Sequence, residues 1–345
     1  MKCLFAAIAA LTYLSLPAQP FYRMESALTI KSPTAPSWDY LTYDSSRDCL
    51  YIARRDDGIL IYDAKAKKIT GVIEDTKGGN ATVLVPEFDR GYVINQDGSA
   101  TVFQLSTLMK IARTPFGESA DNGFYDLVTK QILVTQGDNS QATFIDAKTG
   151  AVNGVLKIDS ASLEGTAADG EGNYYMALRD RDKVIKIDAR SRTIVGEWKI
   201  GNHIKPNGVA YDSATKRVFV STRGDNPALL VFDTKGKIVA EPTIGRGNDQ
   251  VVFDPETKKI YTSNGFDGTL VIITQVDADT YKLAEAATTR PYARTMALDP
   301  KSKKVYLTTA EGTVDPAKKL RADIAPFYPN KYFKDTFTLL TYSRQ

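Results

Sequence analysis

The sequence predicts an all-β fold, a seven-bladed β-propeller built from four-stranded antiparallel blades. Three observations carry this. A unit of about 40–45 residues recurs along the chain, the spacing of a propeller blade. Its anchor falls at Asp44, Val85, Asp126, Asp169, Asp212, Asp254 and Asp299, with steps of 41, 41, 43, 43, 42 and 45 residues. Each unit holds short runs rich in β-branched and aromatic residues, punctuated by Gly, Asp, Asn and Pro. No segment shows a strong helical pattern.

Within a unit, the innermost strand (a) is the apolar run before the anchor. Strand b includes Leu50-Tyr-Ile52, Tyr92-Val-Ile94, Ile132-Leu-Val134 and Val218-Phe-Val220. Strand c includes Leu60-Ile-Tyr62, Thr143-Phe-Ile145 and Leu229-Leu-Val-Phe232, and strand d the weaker runs 68–73 and 193–198. Asp57-Gly58, Asp97-Gly98 and Asp267-Gly268 suit b–c hairpin turns, because glycine accepts positive φ without strain. The last unit has no strand d after Thr338-Leu-Leu-Thr-Tyr342, whereas a spare run, Ala27-Leu-Thr-Ile-Lys31, precedes the first. That N-terminal strand is expected to complete the seventh blade and hide two open sheet edges. The seventh unit is interrupted by an insertion at 310–334, carrying Pro316, Pro326, Pro329, a basic group (Lys318, Lys319, Arg321) and the aromatics Phe327, Tyr328, Tyr332 and Phe333.

Seven units account for most of the 345 residues, so residues 20–345 are expected to form one domain. Met1-Lys2, the apolar run Cys3–Leu16 and Pro17-Ala-Gln-Pro20 have the layout of a secretory signal peptide, placed at 1–19. The protein is therefore expected to be periplasmic or secreted, with no membrane span in the mature chain. Forty-four basic residues against 41 acidic ones leave a net charge of +3, which argues against a nucleic-acid partner. After signal removal Cys49 stands alone, so no intrachain disulfide forms. It lies in an apolar run and reads as a buried, inert thiol.

Trp38-Asp-Tyr-Leu-Thr-Tyr-Asp44, Val85-Pro-Glu-Phe-Asp-Arg-Gly-Tyr92, Gly265-Phe-Asp-Gly-Thr269 and Ala293-Arg-Thr-Met-Ala-Leu-Asp-Pro300 resemble the YVTN-type repeat propellers of the YncE-like group. Thr308-Thr-Ala-Glu311, followed by Thr336-Phe-Thr-Leu-Leu340, is similar to that family's interrupted final blade. The resemblance covers about residues 35 to 345 and implies the fold, while many members have no assigned activity. Members often carry His-Gly before the second strand a. Here those positions are Asn80-Ala81, so a metal role resting on that histidine does not carry over.

Five residues before the anchors lie Asp39, Asn80, Asp121, Glu164, Asn207, Asp249 and Arg294, all polar although they precede apolar strands. In a propeller these side chains ring the mouth of the central channel, on the face of the d–a and b–c loops. A second set, ten residues after the anchors, includes Arg54 and Arg179, with Arg223 adjacent to its member Thr222; arginines there suit a carboxylate or phosphate. Carboxylates and amides together also suit Ca²⁺ or another divalent cation. Glu164, Asn207 and Asp249 resemble, locally, the metal ligands of gluconolactonase-like propellers, in which a divalent metal polarises an ester. On that reading Asp121 or Asp39 would act as base. The only histidine, His203, lies in a d–a loop, and neither a G-x-S-x-G nor a Cys/His zinc pattern occurs.

Three functions remain open on the sequence. The first is an exported propeller binding a small ligand, an ion or a protein partner on the face that carries the insertion. The second is a metal-dependent hydrolase or lactonase. The third is an accessory protein of a periplasmic redox enzyme.

Overall fold

The computed structural model describes residues 21–117, 119–318 and 328–345. Seven four-stranded antiparallel sheets form the blades, each in the order a–b–c–d. Blade 1 comprises Leu41–Asp44, Cys49–Ala53, Ile59–Asp63 and Lys68–Val72; blade 4 comprises Leu163–Ala168, Asn173–Leu178, Lys183–Asp188 and Thr193–Lys199. Strands b and c are packed between neighbouring blades and bury both faces, which is why they read as continuous apolar runs. Strands d lie at the rim and alternate, as in Lys68–Val72.

The anchor aspartates are turn-formers. Asp44, Asp212 and Asp299 each accept, on Oδ1, the backbone N–H two residues on at 2.9 Å. This Asx bond closes the a–b turn, and the fourth residue after the anchor then takes positive φ at Asp48, Lys130, Lys216, Lys258 and Lys303. Val85 has no carboxylate to offer; a single 3-10 turn over Pro86–Phe88 does the work instead.

Blade 7 pairs Met296–Leu298, Val305–Thr309, Thr338–Arg344 and the N-terminal strand. The closing strand runs from Tyr22 to Thr29, beginning earlier than the sequence suggested. Tyr22 explains the difference: its ring packs edge-on against Tyr261, and its hydroxyl donates to the Lys303 carbonyl at 2.7 Å. A register shift recurs between strands c and d in every blade, for example at Ile61/Tyr62, Lys186/Ile187 and, in the closing strand, Met24/Ser26. Such bulges increase local twist, which turns the outer edge of each blade.

The insertion leaves the b–c corner of blade 7 as a short ladder, Gly312–Thr313 against Lys331–Tyr332. Tyr332 packs on Trp38 with ring centroids 4.9 Å apart, and Tyr328 on Phe266 and Tyr292 at 5.2 and 5.5 Å. Lys319, Arg321, Pro326 and Phe327, and residues 1–19, where a signal peptide is expected, lie outside the described residues. Among the described residues no helix is long and apolar enough to cross a membrane.

Candidate functional site

The seven positions before the anchors meet around one opening, and backbone irregularities aim them there. The pairing of strands a and b shifts register at Gly79/Ala81, Leu163/Thr166, Pro206/Val209 and Asn248/Val251. These shifts bracket Asn80, Glu164, Asn207 and Asp249. An extra residue at that point breaks the alternation of the strand and turns one polar side chain toward the axis. Neighbouring inner strands also approach closely. A Cβ on Gly208 would stand 2.8 Å from the Val251 nitrogen, so only glycine fits there.

The resulting cavity holds about 760 Å³ and is lined by Asp39, Asn80, Asp121, Glu164, Asp249 and Arg294 from the ring. Asn207 sits just behind it, bonded to Arg179 and Asp249. Arg55, Arg179 and Arg223 enter from b–c loops, and Tyr40 and Tyr328 add phenols.

Each arginine is matched to an acid. Arg55 bonds Asp39, and its Nε donates to Asn80 Oδ1 at 2.9 Å. Arg179 reaches Glu164 at 2.6 Å, and its Nε donates to Asn207 Oδ1 at 3.0 Å. Arg223 and Arg294 both bond Asp249, and the Arg294 guanidinium also lies over the Trp38 ring at 5.4 Å. Burial works against the charge of Asp249, but Arg223 and Arg294 outweigh it and hold the carboxyl below the usual carboxylate range. Asp121 behaves oppositely. Burial, then the charges of Asp39 and Glu164, push its carboxyl well up, and Arg55 and Arg179 only partly offset them. Burial and the charges of Asp121 and Asp39 also keep the Tyr40 phenol protonated, and hence a donor.

Arg54, assigned to the mouth from its position in the repeat, lies elsewhere. It is buried, stacked 4.2 Å over the Phe337 ring and paired with Asp57 at 2.7 Å. Immediately after the end of its b strand, Cys49–Ala53, it points toward Phe337 of blade 7. The next residue, Arg55, takes positive φ (44°) and swings into the mouth. Arg55 stands eleven residues after its anchor Asp44, one beyond the column that contains Arg54 and Arg179, so that column does not include it. The position of Arg223, eleven after its own anchor, was the available signal. His203 is likewise away from the cavity, its ring between the Asn226 carbonyl and Glu241.

The residues proposed to hold a metal do not fit one. Glu164 is taken by Arg179 and by the Ser162 hydroxyl at 2.6 Å. The Asn207 amide oxygen accepts from Arg179, and both Asp249 oxygens face guanidiniums. The carboxylates of this proposed set, Glu164 and Asp249, are already neutralised by guanidiniums and have no oxygen left to offer a divalent cation. Among the described residues no group of three or more His, Cys, Asp or Glu side chains is arranged to hold a metal ion.

No protein-family model and no curated protein matches the chain. Among solved structures it is similar to a chain of the mitotic checkpoint complex (TM-score 0.74, 13% identity, 100% of this chain and 99% of that one). It is also similar to Kuenenia stuttgartiensis hydrazine synthase (0.68, 17%, 81% and 94%) and to the WD40 repeats of RRP9 (0.74, 8%, 95% and 99%). At these identities the likenesses show the fold alone: the chain is a seven-bladed β-propeller.

Proposed function

We propose that this is an exported propeller that binds a small, charged organic molecule at the mouth of its channel, on the face bearing the 310–334 insertion. One observation carries the reading. Four carboxylates and four guanidiniums converge on one cavity of about 760 Å³, a volume typical of small-molecule sites. Gathering so many charges is expensive unless they are paired, and here the pairing leaves Arg55 and Arg179 each 28% exposed at the opening. A guanidinium already held by one acid keeps further N–H donors for a ligand oxygen. Tyr328, brought to the cavity by the insertion, supports approach from this face. The apolar N-terminal run supports export, and the quoted repeat strings support a place among YVTN-type propellers.

The lactonase reading needs Glu164, Asn207 and Asp249 on a metal, and all three are committed to protein groups. Nothing at the mouth favours an accessory role in a redox enzyme.

The test is a thermal-shift screen against small charged metabolites, with Ca²⁺ and a chelator alongside. The expected result is a saturable rise with at least one metabolite, lost in Arg55→Ala/Arg179→Ala, and no response to Ca²⁺ or chelator. A response to Ca²⁺ alone, or no metabolite response, would overturn the reading.

A further inference from the structure

The mouth contains one arrangement twice. In blades 1 to 3, Arg55 holds Asp39 and Asn80, and Asn80 Nδ2 donates to the Ala120 carbonyl at 3.1 Å with Asp121 Oδ1 at 3.5 Å. In blades 4 to 6, Arg179 holds Glu164 and Asn207, and Asn207 Nδ2 donates to the Asp249 carbonyl at 2.9 Å with Asp249 Oδ1 at 3.3 Å. Both series run acid, arginine, asparagine, acid. Each ends on a carboxylate at the cavity, Asp121 in one and Asp249 in the other.

The two ends are completed differently. Asp249 receives Arg223 from the b–c loop of the blade before it and Arg294 from the ring position of the blade after it. The equivalent positions around Asp121 are Gln96 and Glu164, an amide and a like charge. Among the described residues no cationic side chain forms an ion pair with Asp121. Where the protein places two guanidiniums at Asp249, it leaves the cavity open at Asp121.

We infer, resting on the mouth being a ligand site, that its ligand is anchored by an organic cation, a primary ammonium or a guanidinium, seated on Asp121 as Arg223 and Arg294 are seated on Asp249. Asp39 and Glu164 deepen the negative potential at that point. Arg55 and Arg179 flank it and suit a carboxylate on the same molecule, so an amino-acid-like zwitterion meets both halves of the cavity. The groups facing Asp121 are Asp39, Glu164, Arg55, Arg179, Asn80 and the Tyr40 phenol. Because its own burial and those acids hold the free carboxyl in the neutral form further up the pH scale, seating a cation releases a proton. Affinity therefore rises as pH rises through the carboxyl's titration.

Thermal melts at constant ionic strength test this, with ethylammonium and methylguanidinium as cationic probes and acetate and phosphate as anionic ones. The proteins are wild type, the near-isosteric Asp121→Asn, and Gln96→Arg, which places a guanidinium where blade 5 has Arg223. Both cations should stabilise the wild type saturably and with higher affinity at higher pH. Half-saturation should weaken about tenfold or more in each variant, a difference of about 1.4 kcal/mol. Equal responses in all three proteins would overturn the inference. Binding of acetate or phosphate through Arg55, without the cations, would overturn it while leaving the mouth as a ligand site. Silence toward all four probes would remove both.

Discussion

Arg179 Nε donates to Asn207 Oδ1 at 3.0 Å, a bond that crosses from blade 4 to blade 5 while the same guanidinium holds Glu164. It ties two blades together at the rim of the cavity. Arg179→Ala would leave Glu164, itself buried, without its counter-charge. Breaking a buried pair costs about 3–5 kcal/mol, and the partial exposure of Arg179 reduces this to about 1–3 kcal/mol. Arg179→Lys should recover only part, since an ammonium cannot reproduce the fork that reaches both partners. Urea denaturation of the three proteins checks the order.

Asp249 should be the most costly carboxylate of the ring to remove. Asp249→Ala leaves Arg223 and Arg294 facing one another, for a loss of about 3–5 kcal/mol. Its folded pKa is depressed, so its stabilisation is present above the ordinary carboxylate value of about 3.9 and is lost as pH falls through the folded value. The stability gap between wild type and Asp249→Asn should therefore narrow in acid, as read by denaturant melts across pH.

Asp121 should show the opposite sign. Its folded pKa is raised, so between the ordinary carboxylate value and the raised one the folded state binds more protons than the unfolded state. Stability then falls as pH rises through that window. Asp121→Asn removes the penalty and should match wild type in acid but exceed it at neutral pH. Paired melts at the two conditions decide it.

Removing Tyr22–Thr29 should expose the edge of Thr338–Arg344 and take the buried Tyr22 ring from its contact with Tyr261. The loss is several kcal/mol, which lowers the melting temperature on the order of 10 °C in a chain of this size. Adding residues 22–29 back as a separate peptide should restore part of it, measured by calorimetry.

Cys49 should resist thiol reagents in the folded protein. Burial pushes its thiol up to about 11, so little thiolate forms near neutral pH. In the chain lacking residues 1–19, and so lacking Cys3, a colorimetric thiol assay should stay silent until denaturant is added, then report one free thiol.

The blades were legible in the sequence because their strands depend on local rules. Apolar runs such as Ile132-Leu-Val134 must be buried on both faces, and an aspartate two residues before a free N–H closes a turn wherever it occurs. The ring was legible as well, since Asp39, Asn80, Asp121, Glu164, Asn207, Asp249 and Arg294 stay polar in a column that leads into apolar strands. Its internal order, acid–amide–acid twice and then arginine, was also present but gains meaning only with the hydrogen bonds.

By itself, then, the sequence determined a seven-fold all-β repeat, its closure by an N-terminal strand, and the column of residues that faces the axis. Tertiary structure decided which charges neutralise which. Arg54 and Arg55 are chemically identical neighbours, yet one stacks on Phe337 and the other binds Asp39, because Arg55 itself takes a left-handed backbone conformation. Glu164, Asn207 and Asp249 are good metal ligands in composition, but arginines occupy them, Arg179 from Glu164's own blade and, at Asn207 and Asp249, arginines from neighbouring blades. Coulombic pairing acts over a few ångströms between residues far apart in the chain, so a linear pattern holds the charges without their partners.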